Sequence, residues 1–315
     1  MEKVTKNIID KKENSGDETI SVIIVNYNGL SDTCDLLDCF SSCFNNGTGR
    51  ISNWQIEIII IDNASESDES KTVMSKYKWV RAIRCEENCG YAGACNIGIV
   101  NSKGNYILLI NNDIILNPAE LPLLIKRLNS SQKIAIVCPK LKYYSGERLI
   151  QYAGYTPLSR ITLRNEAIGH CKQDDGSYDK AFATPYAHGA AMMVRRKAID
   201  DVGLMPECYF LYYEEIDWSV MMRRRGYEIW YEPSCSIYHK ESQSTGTDSP
   251  THIYYLTRNR LLFAHRNVPR HDRFLTYAYL ILFVLPKDVL KNLLKWRFDL
   301  IKATLKGVKS AFSII

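Results

Sequence analysis

The sequence predicts an α/β protein with a mainly parallel, doubly wound sheet. Three observations carry this. Four short apolar runs, at residues 20–25, 56–61, 80–84 and 106–110, are dominated by Ile, Val and Leu, the mark of strands covered on both faces. The segments between them are polar or helical in period and long enough for crossover helices. Three of the runs stop abruptly on polar residues: Asn26-Tyr27-Asn28-Gly29, Asp62-Asn63-Ala64-Ser65 and Asn111-Asn112-Asp113. In an open α/β sheet, ligands bind beyond the carboxyl ends of the strands, so these clusters mark the side where chemistry is expected.

Elements follow in order. After a polar arm at 1–19, the first strand leads to a helix that Ser31 or Asp32 can cap, with Leu36, Leu37, Phe40 and Phe44 at helical spacing. The second strand ends at Asp62, and Ser67 opens the next helix. Beyond the third strand, residues 88–98 (N-C-G-Y-A-G-A-C-N-I-G) read as a small-residue loop running into a helix, its three glycines implying close backbone approach to something. The spacing is neither G-x-G-x-x-G nor G-K-[ST], so dinucleotide and P-loop fingerprints are absent. A helix to about Leu128 and a strand at 134–137 follow. Residues 142–184, rich in Tyr, Gly and charge, have no clear period and read as loops. A strand is predicted at 188–195, a helix at 215–225 stopped by Gly226, short strands at 228–231 and 236–239, and a helix at 253–266.

The length of 315 residues suits one large domain or two ordinary ones. The expected division is the arm at 1–19, a catalytic domain at 20–250 with halves meeting near 140, and C-terminal helices at 251–315. A formal charge of +5 does not suggest a nucleic-acid partner. From Phe274 onward there are seven Lys or Arg against two Asp, so the tail holds the whole excess. There the apolar run at 274–285 falls short of the roughly 20 residues a bilayer span needs. After it, Leu290, Leu294, Phe298, Ile301, Leu305, Val308 and Phe312 recur at steps of three or four beside lysines. Such a stripe suits an anionic membrane surface or docking on the chain's own domain. None of the ten cysteines forms a C-x-x-C pair, which excludes zinc-ligand spacing. With a polar N-terminus they are expected to be reduced thiols of a cytosolic protein, most of them buried.

Among candidate site residues, Asp113 stands first. Its carboxylate, delivered with two amides at a buried strand end, suits Mg²⁺ or Mn²⁺ bridged to a substrate diphosphate; Asn-Asn-Asp is also good turn chemistry. Glu214, Glu215 and Asp217 open the helix before Trp218. They complement its dipole, yet three carboxylates in four positions repel each other more than capping requires. His239 ends a strand, as a structural residue or as a ligand.

Together these stretches resemble the inverting glycosyltransferases of family 2, with the GT-A fold, and most closely their rhamnosyltransferase-like members. The resemblance covers about residues 20–244. S-V-I-I-V-N-Y-N-G, I-I-I-I-D-N-A-S, the Gly/Asn segment at 88–98, L-I-N-N-D, H-G-A-A-M-M-V-R-R and Y-Y-E-E-I-D-W-S occur in family order. It implies a nucleotide-sugar donor, with Asn26, Tyr27, Asp62 and Asn63 around base and ribose. Tyr27 offers a stacking face, and Asp62 can accept the imide N–H of uracil or thymine. Gly93, Asn96, Asn111, Asn112, Gly189 and Ala190 would complete the donor site. Asp113 and His239 would hold Mg²⁺ or Mn²⁺.

The family's base falls on Glu215, where many members have Asp, leaving Glu214 and Asp217 as substitutes. His188 is a second departure, placed to touch the acceptor or only to pack. The implied reaction is transfer of a sugar from a UDP- or dTDP-sugar, dTDP-rhamnose among them, to a hydroxyl of a glycan or lipid-linked saccharide, on the inner face of the cytoplasmic membrane. A sugar nucleotidyltransferase would share the fold but needs a basic turn after its first strand, and residues 26–30 contain no Lys or Arg. A non-catalytic carbohydrate-binding domain would need neither base nor metal carboxylate.

Overall fold

A computed structural model describes residues 19–44, 49–240 and 249–315. The first half is built as the apolar runs require. β1 (Thr19–Asn26), β3 (Trp54–Asp62), β4 (Val80–Arg84) and β5 (Tyr106–Asn111) are parallel, joined through α1 (Leu30–Cys43), α2 (Glu69–Lys76) and α3 (Gly90–Val100). Their Ile, Val and Leu side chains are buried because helices cover both faces. Register decides where the polar ends fall. Asn26 pairs with Asp62, and Val25 with Asn111, so three strands release their polar residues at one edge.

The second half is mixed rather than parallel. After β6 (Ile114–Ile115) and α4 (Leu121–Asn129) comes β7 (Ile134–Tyr143), longer than its apolar core suggested. β10 (Ala191–Arg195) lies between β5 and β7 and runs antiparallel to both. β11 (Glu228–His239) is one strand with an irregularity between Glu232 and Ser236, not two strands. With the β2 stub (Arg50–Ile51), the order is β2-β3-β1-β5-β10-β7-β11-β6. Within residues 142–184, β8 (Ile150–Tyr152) and β9 (Phe182–Thr184) attach to β7 and β11.

Two further expectations are corrected. The Gly/Asn segment is helix from Gly90 onward, and its close approach is to protein rather than to a ligand. Gly90 has φ +75°, and a Cβ there would lie 2.3 Å from the carbonyl oxygen of Phe210. Of the ten free cysteines only Cys95, Cys138 and Cys235 are buried, while Cys171 and Cys208 are exposed.

Past α5 (Arg196–Val202) and α6 (Glu214–Arg224), the chain ends in helices: α7 (Pro250–Asn267), α8 (Arg270–Tyr279), a π-helical turn at Leu280–Val284, α9 (Leu285–Leu294) and α10 (Phe298–Ile314). The amphipathic stripe read as one helix is broken at Trp296, whose φ is +56°. α10 docks on α7 through small residues, Ala303, Gly307 and Ala311, with Leu300 and Thr304. At Gly307 a Cβ would come within 2.8 Å of the Tyr254 carbonyl oxygen. Leu290, Leu294, Phe298, Leu305 and Phe312 of the stripe are exposed instead. Docking and an outward apolar face therefore coexist. Among the described residues, no helix is long and apolar enough to cross a membrane.

Candidate active site

The polar strand ends frame a cleft of about 540 Å³ whose walls include Tyr27, Asn63, Asn111, Asn112 and Asp113. Tyr27 is 46% exposed, so its ring face is open to a planar group. Asn63 is held by the segment that leads into α3: Nδ2 donates to Asn88 Oδ1 at 3.0 Å, and Oδ1 accepts from the Cys89 N–H at 3.0 Å. Asn112 Nδ2 donates to Gly29 O at 3.1 Å and ties the cleft to the start of α1.

Asp113 and His239 meet as the sequence suggested. Ile114 of β6 pairs with His239 of β11, which brings Nε2 of His239 to 3.1 Å from Oδ1 of Asp113. Nδ1 of the same ring lies 2.9 Å from Gln151 Oε1, a contact that orients the imidazole. Lys240 fixes this strand end, since its N–H donates to Asp113 O at 2.9 Å and its ammonium pairs with Asp32 and Asp35 of α1. A carboxylate and an imidazole converging at a cleft fit a divalent cation whose other positions would go to diphosphate oxygens. Among the described residues no cluster of three His, Cys, Asp or Glu forms a complete cage.

The three candidate bases separate clearly. Asp217 is buried with both oxygens engaged: Arg266 Nε donates to Oδ2 at 2.6 Å, Tyr209 OH to Oδ2 at 3.0 Å and Asn267 Nδ2 to Oδ1 at 2.8 Å. Through these three donors Asp217 ties α6 to α7. Glu214 and Glu215 each keep a buried Oε2 without a hydrogen-bond partner. Burial lifts Glu215 to about 7. Glu214 is pushed well above the usual carboxylate range, by burial first and by the charge of Glu215 second.

Glu215 lies behind the cleft wall. Tyr91, a wall residue, donates its hydroxyl to Gly189 O at 2.8 Å, and a Cβ on Gly189 would be 3.7 Å from Cδ of Glu215. Gly189 thus packs directly against the buried carboxylate of Glu215. His188 packs, its ring stacked on Tyr155 at 5.9 Å and its Nδ1 accepting the Ala190 N–H at 3.1 Å. Burial, with help from His239, lowers it to about 3 and keeps it neutral. Ala190 O accepts the Asn111 N–H at 2.9 Å, joining β10 to the strand end of β5.

Four expected donor contacts lie elsewhere. Asp62 is fully buried, and its oxygens accept from Arg84 Nη1 at 2.6 Å, Ser65 N at 3.0 Å and Ser70 N at 3.3 Å. Asn26 is likewise consumed by Glu69 and Thr33. Asn96 bridges α3 to Met205 and Glu207, and Gly93 packs on Cys89. Conversely, Tyr91, Asn88, Phe210 and Tyr255 face the cleft, and Gln151 orients His239. Phe210 and Tyr255, far apart in sequence, stack at 5.0 Å. No local pattern announces them, because each acquires its role from packing between distant segments.

Fold and cleft define a GT-A glycosyltransferase. Residues 21–203 match the family described as Glycosyl transferase family 2, and the chain belongs to that family. It is similar to the low-salt glycan biosynthesis hexosyltransferase Agl10 of Haloferax volcanii, 24% identical over 295 residues covering 92% of this chain and 90% of that protein. It also resembles the N-acetylglucosaminyl-diphospho-decaprenol L-rhamnosyltransferase of Mycobacterium tuberculosis, 22% identical over 218 residues and covering 63% and 71%. Among solved structures, the mannosyltransferase PcManGT from Pyrobaculum calidifontis, in complex with GDP-Man and Mn²⁺, shares the fold at TM-score 0.56 and 12% identity over 98% of this chain and 92% of that one. GalNAc-T7 with UDP, GalNAc and Mn²⁺ aligns at TM-score 0.58 and 14% identity over 79% of this chain but only 51% of its own. The protein is therefore an enzyme of sugar transfer in glycan biosynthesis.

The anchoring role of Asp217 has a measurable consequence. Asp217→Asn should lower the unfolding free energy by about 1–3 kcal/mol, since one buried oxygen becomes a donor facing donors, and urea denaturation reads the change. Unaltered stability with activity lost would return the residue to the list of bases.

Proposed function

We propose that the enzyme transfers a sugar from a nucleoside diphosphate donor to an acceptor hydroxyl with inversion, Glu215 serving as base. The observation that carries the reading is a buried, unpartnered carboxylate titrating near neutrality behind a cleft whose mouth holds Asp113 and His239. Glu215 takes the hydroxyl proton as that oxygen bonds to the anomeric carbon, and the bond from that carbon to the diphosphate oxygen breaks with its electrons leaving on the diphosphate. Tyr27 stacks on the base, and Asn63, Asn111 and Asn112 contact the remainder of the nucleotide. Asp113 and His239 would hold Mg²⁺ or Mn²⁺, which supplies positive charge to the departing diphosphate. Both cited solved neighbours carry Mn²⁺ with a nucleotide or nucleotide-sugar. Uridine and thymidine diphosphate sugars, dTDP-rhamnose included, are the first donors to try.

The C-terminal helices, residues 251–315, are proposed to rest on an anionic membrane face. Leu294 and Trp296 are 73% and 78% exposed, and they stand among the lysines that hold the chain's positive excess. Each basic residue near such a surface contributes about 1 kcal/mol.

Three measurements test these assignments. Calorimetry should show that UDP or dTDP binds with Mn²⁺ and loses that binding in EDTA or in Asp113→Ala; equal affinity in EDTA would overturn the metal site. Glu215→Gln should cut kcat by roughly 10²–10⁴-fold with donor affinity unchanged. In the native enzyme kcat/KM should rise about tenfold per pH unit up to about 7 and then level, because only the ionised carboxylate accepts the proton. A flat profile between pH 5 and 8 would remove Glu215 from the chemistry. Finally, sedimentation with anionic vesicles should show salt-sensitive binding that Leu294→Glu with Trp296→Glu abolishes; equal binding to neutral vesicles would contradict the electrostatic part.

A further inference from the structure

Two cavities outside the donor cleft share a wall. Between α7, residues 280–285, α9 and α10 runs a groove of about 250 Å³, apolar along Ile253, Leu256, Ile281, Val284, Leu300 and Val308, with Asp288, Lys291 and Asn292 of α9 also at its side. Beside it opens a polar pocket of about 430 Å³ that includes Thr156, Arg164, Asn165 and Glu166. Tyr213 and Arg260 line both.

The polar pocket is short of acceptors. Arg260 Nε and Asn165 Nδ2 are buried without a hydrogen-bond partner, while Arg260 Nη2 donates to the Thr162 carbonyl. Arg164 and Glu166 are exposed at the rim. Unpaired buried donors carry a penalty that an acceptor-rich ligand removes, and a guanidinium suits phosphate oxygens above other anions of its size. A molecule filling both cavities must be hydrocarbon in one and anionic in the next. The groove's outer neighbours point the same way, for Leu282 and Phe283, in the turn that supplies Ile281 and Val284, are exposed. Tyr213 also immediately precedes Glu214 and Glu215, so the shared wall adjoins the proposed base.

We propose that groove and pocket form the acceptor site for a sugar carried on a prenyl chain through phosphate. The chain lies between α7, the 280–285 turn and α10. The phosphate is bound by Arg260 and Asn165, and the sugar extends past Tyr213 to Glu215. This rests on the glycosyltransferase reading of Glu215 and adds the acceptor class to it. The lipid chain would enter from the membrane face on which Leu294 and Trp296 stand.

Farnesyl diphosphate is a suitable probe, titrated into the full chain in EDTA so that a metal-dependent donor site does not compete. It should bind at least tenfold more tightly than farnesol or inorganic diphosphate. Arg260→Met, which removes the phosphate contact, and Val284→Trp, which fills the groove, should each weaken it at least tenfold. Both variants should retain the native affinity for UDP or dTDP with Mn²⁺, which reports that the fold and donor cleft are intact. Farnesyl diphosphate binding no better than inorganic diphosphate, or unchanged by both substitutions, would overturn the proposal. If the nucleotide fails to bind even to the native chain while the farnesyl diphosphate response holds, the donor reading falls and the lipid site stands.

Discussion

The structure depends on the grip that α7 and α3 keep on the segment just before the proposed base. Phe210, Tyr212 and Tyr213 all have positive φ, at 66°, 68° and 79°. For bulky residues this conformation costs on the order of 1–3 kcal/mol each and persists only where the surroundings over-determine it. Here they do. Asn259 Nδ2 donates to the carbonyls of Tyr209, Leu211 and Tyr212, and Arg258 reaches those of Cys208 and Tyr209. From the other side the Tyr91 N–H donates to Phe210 O at 2.7 Å, an approach that Gly90 alone permits. The strained turn delivers Glu214 and Glu215 to the start of α6, with Phe210 on the cleft wall and Tyr213 on the wall shared by the two neighbouring cavities.

Satisfaction, more than burial, separates Glu214 and Glu215 from Asp62 and Asp217. Asp62 and Asp217 are as buried as any acid in the chain, yet each is surrounded by donors and braced by an arginine. Charged-group burial is tolerated on those terms. Glu214 and Glu215 receive no such compensation at Oε2, and two adjacent carboxyls cannot both ionise cheaply. Burial and the charge of Glu215 push Glu214 well above the usual carboxylate range, and burial lifts Glu215 to about 7.

The C-terminal helices serve the same centre. α7 carries Asn259, Arg258 and Arg266, which hold the turn and Asp217, and also Tyr255 of the cleft. α10 docks on α7 through glycine and alanine, which lets the two backbones come close and turns the larger apolar residues outward. An outward apolar surface is thus built on helices that also hold the Tyr209–Tyr213 segment and Asp217.

Hydrophobic runs bounded by polar residues determined the parallel half of the sheet, since Ile-rich strands buried on both faces leave few alternatives, and strand ends bearing Asn and Asp marked the cleft side. Asp113, Tyr27 and His239 were legible as candidates because they lie at or beside such strand ends, while the Glu214–Glu215 pair stood out as carboxylates crowded at a helix start. Which polar residues face the cleft was not. Asp62 and Asn26 occupy the same strand ends as Tyr27 and Asn63, and only the partners brought in by the fold, Arg84 and Glu69 among them, turn them inward. The antiparallel course of β10 and the break at Trp296 escaped for a related cause: strand direction and helix continuity depend on what packs against a segment, not on its own period. Short-range pattern determined the elements and the side of the sheet where chemistry lies; long-range hydrogen bonding and burial decided which carboxylate stays free to act.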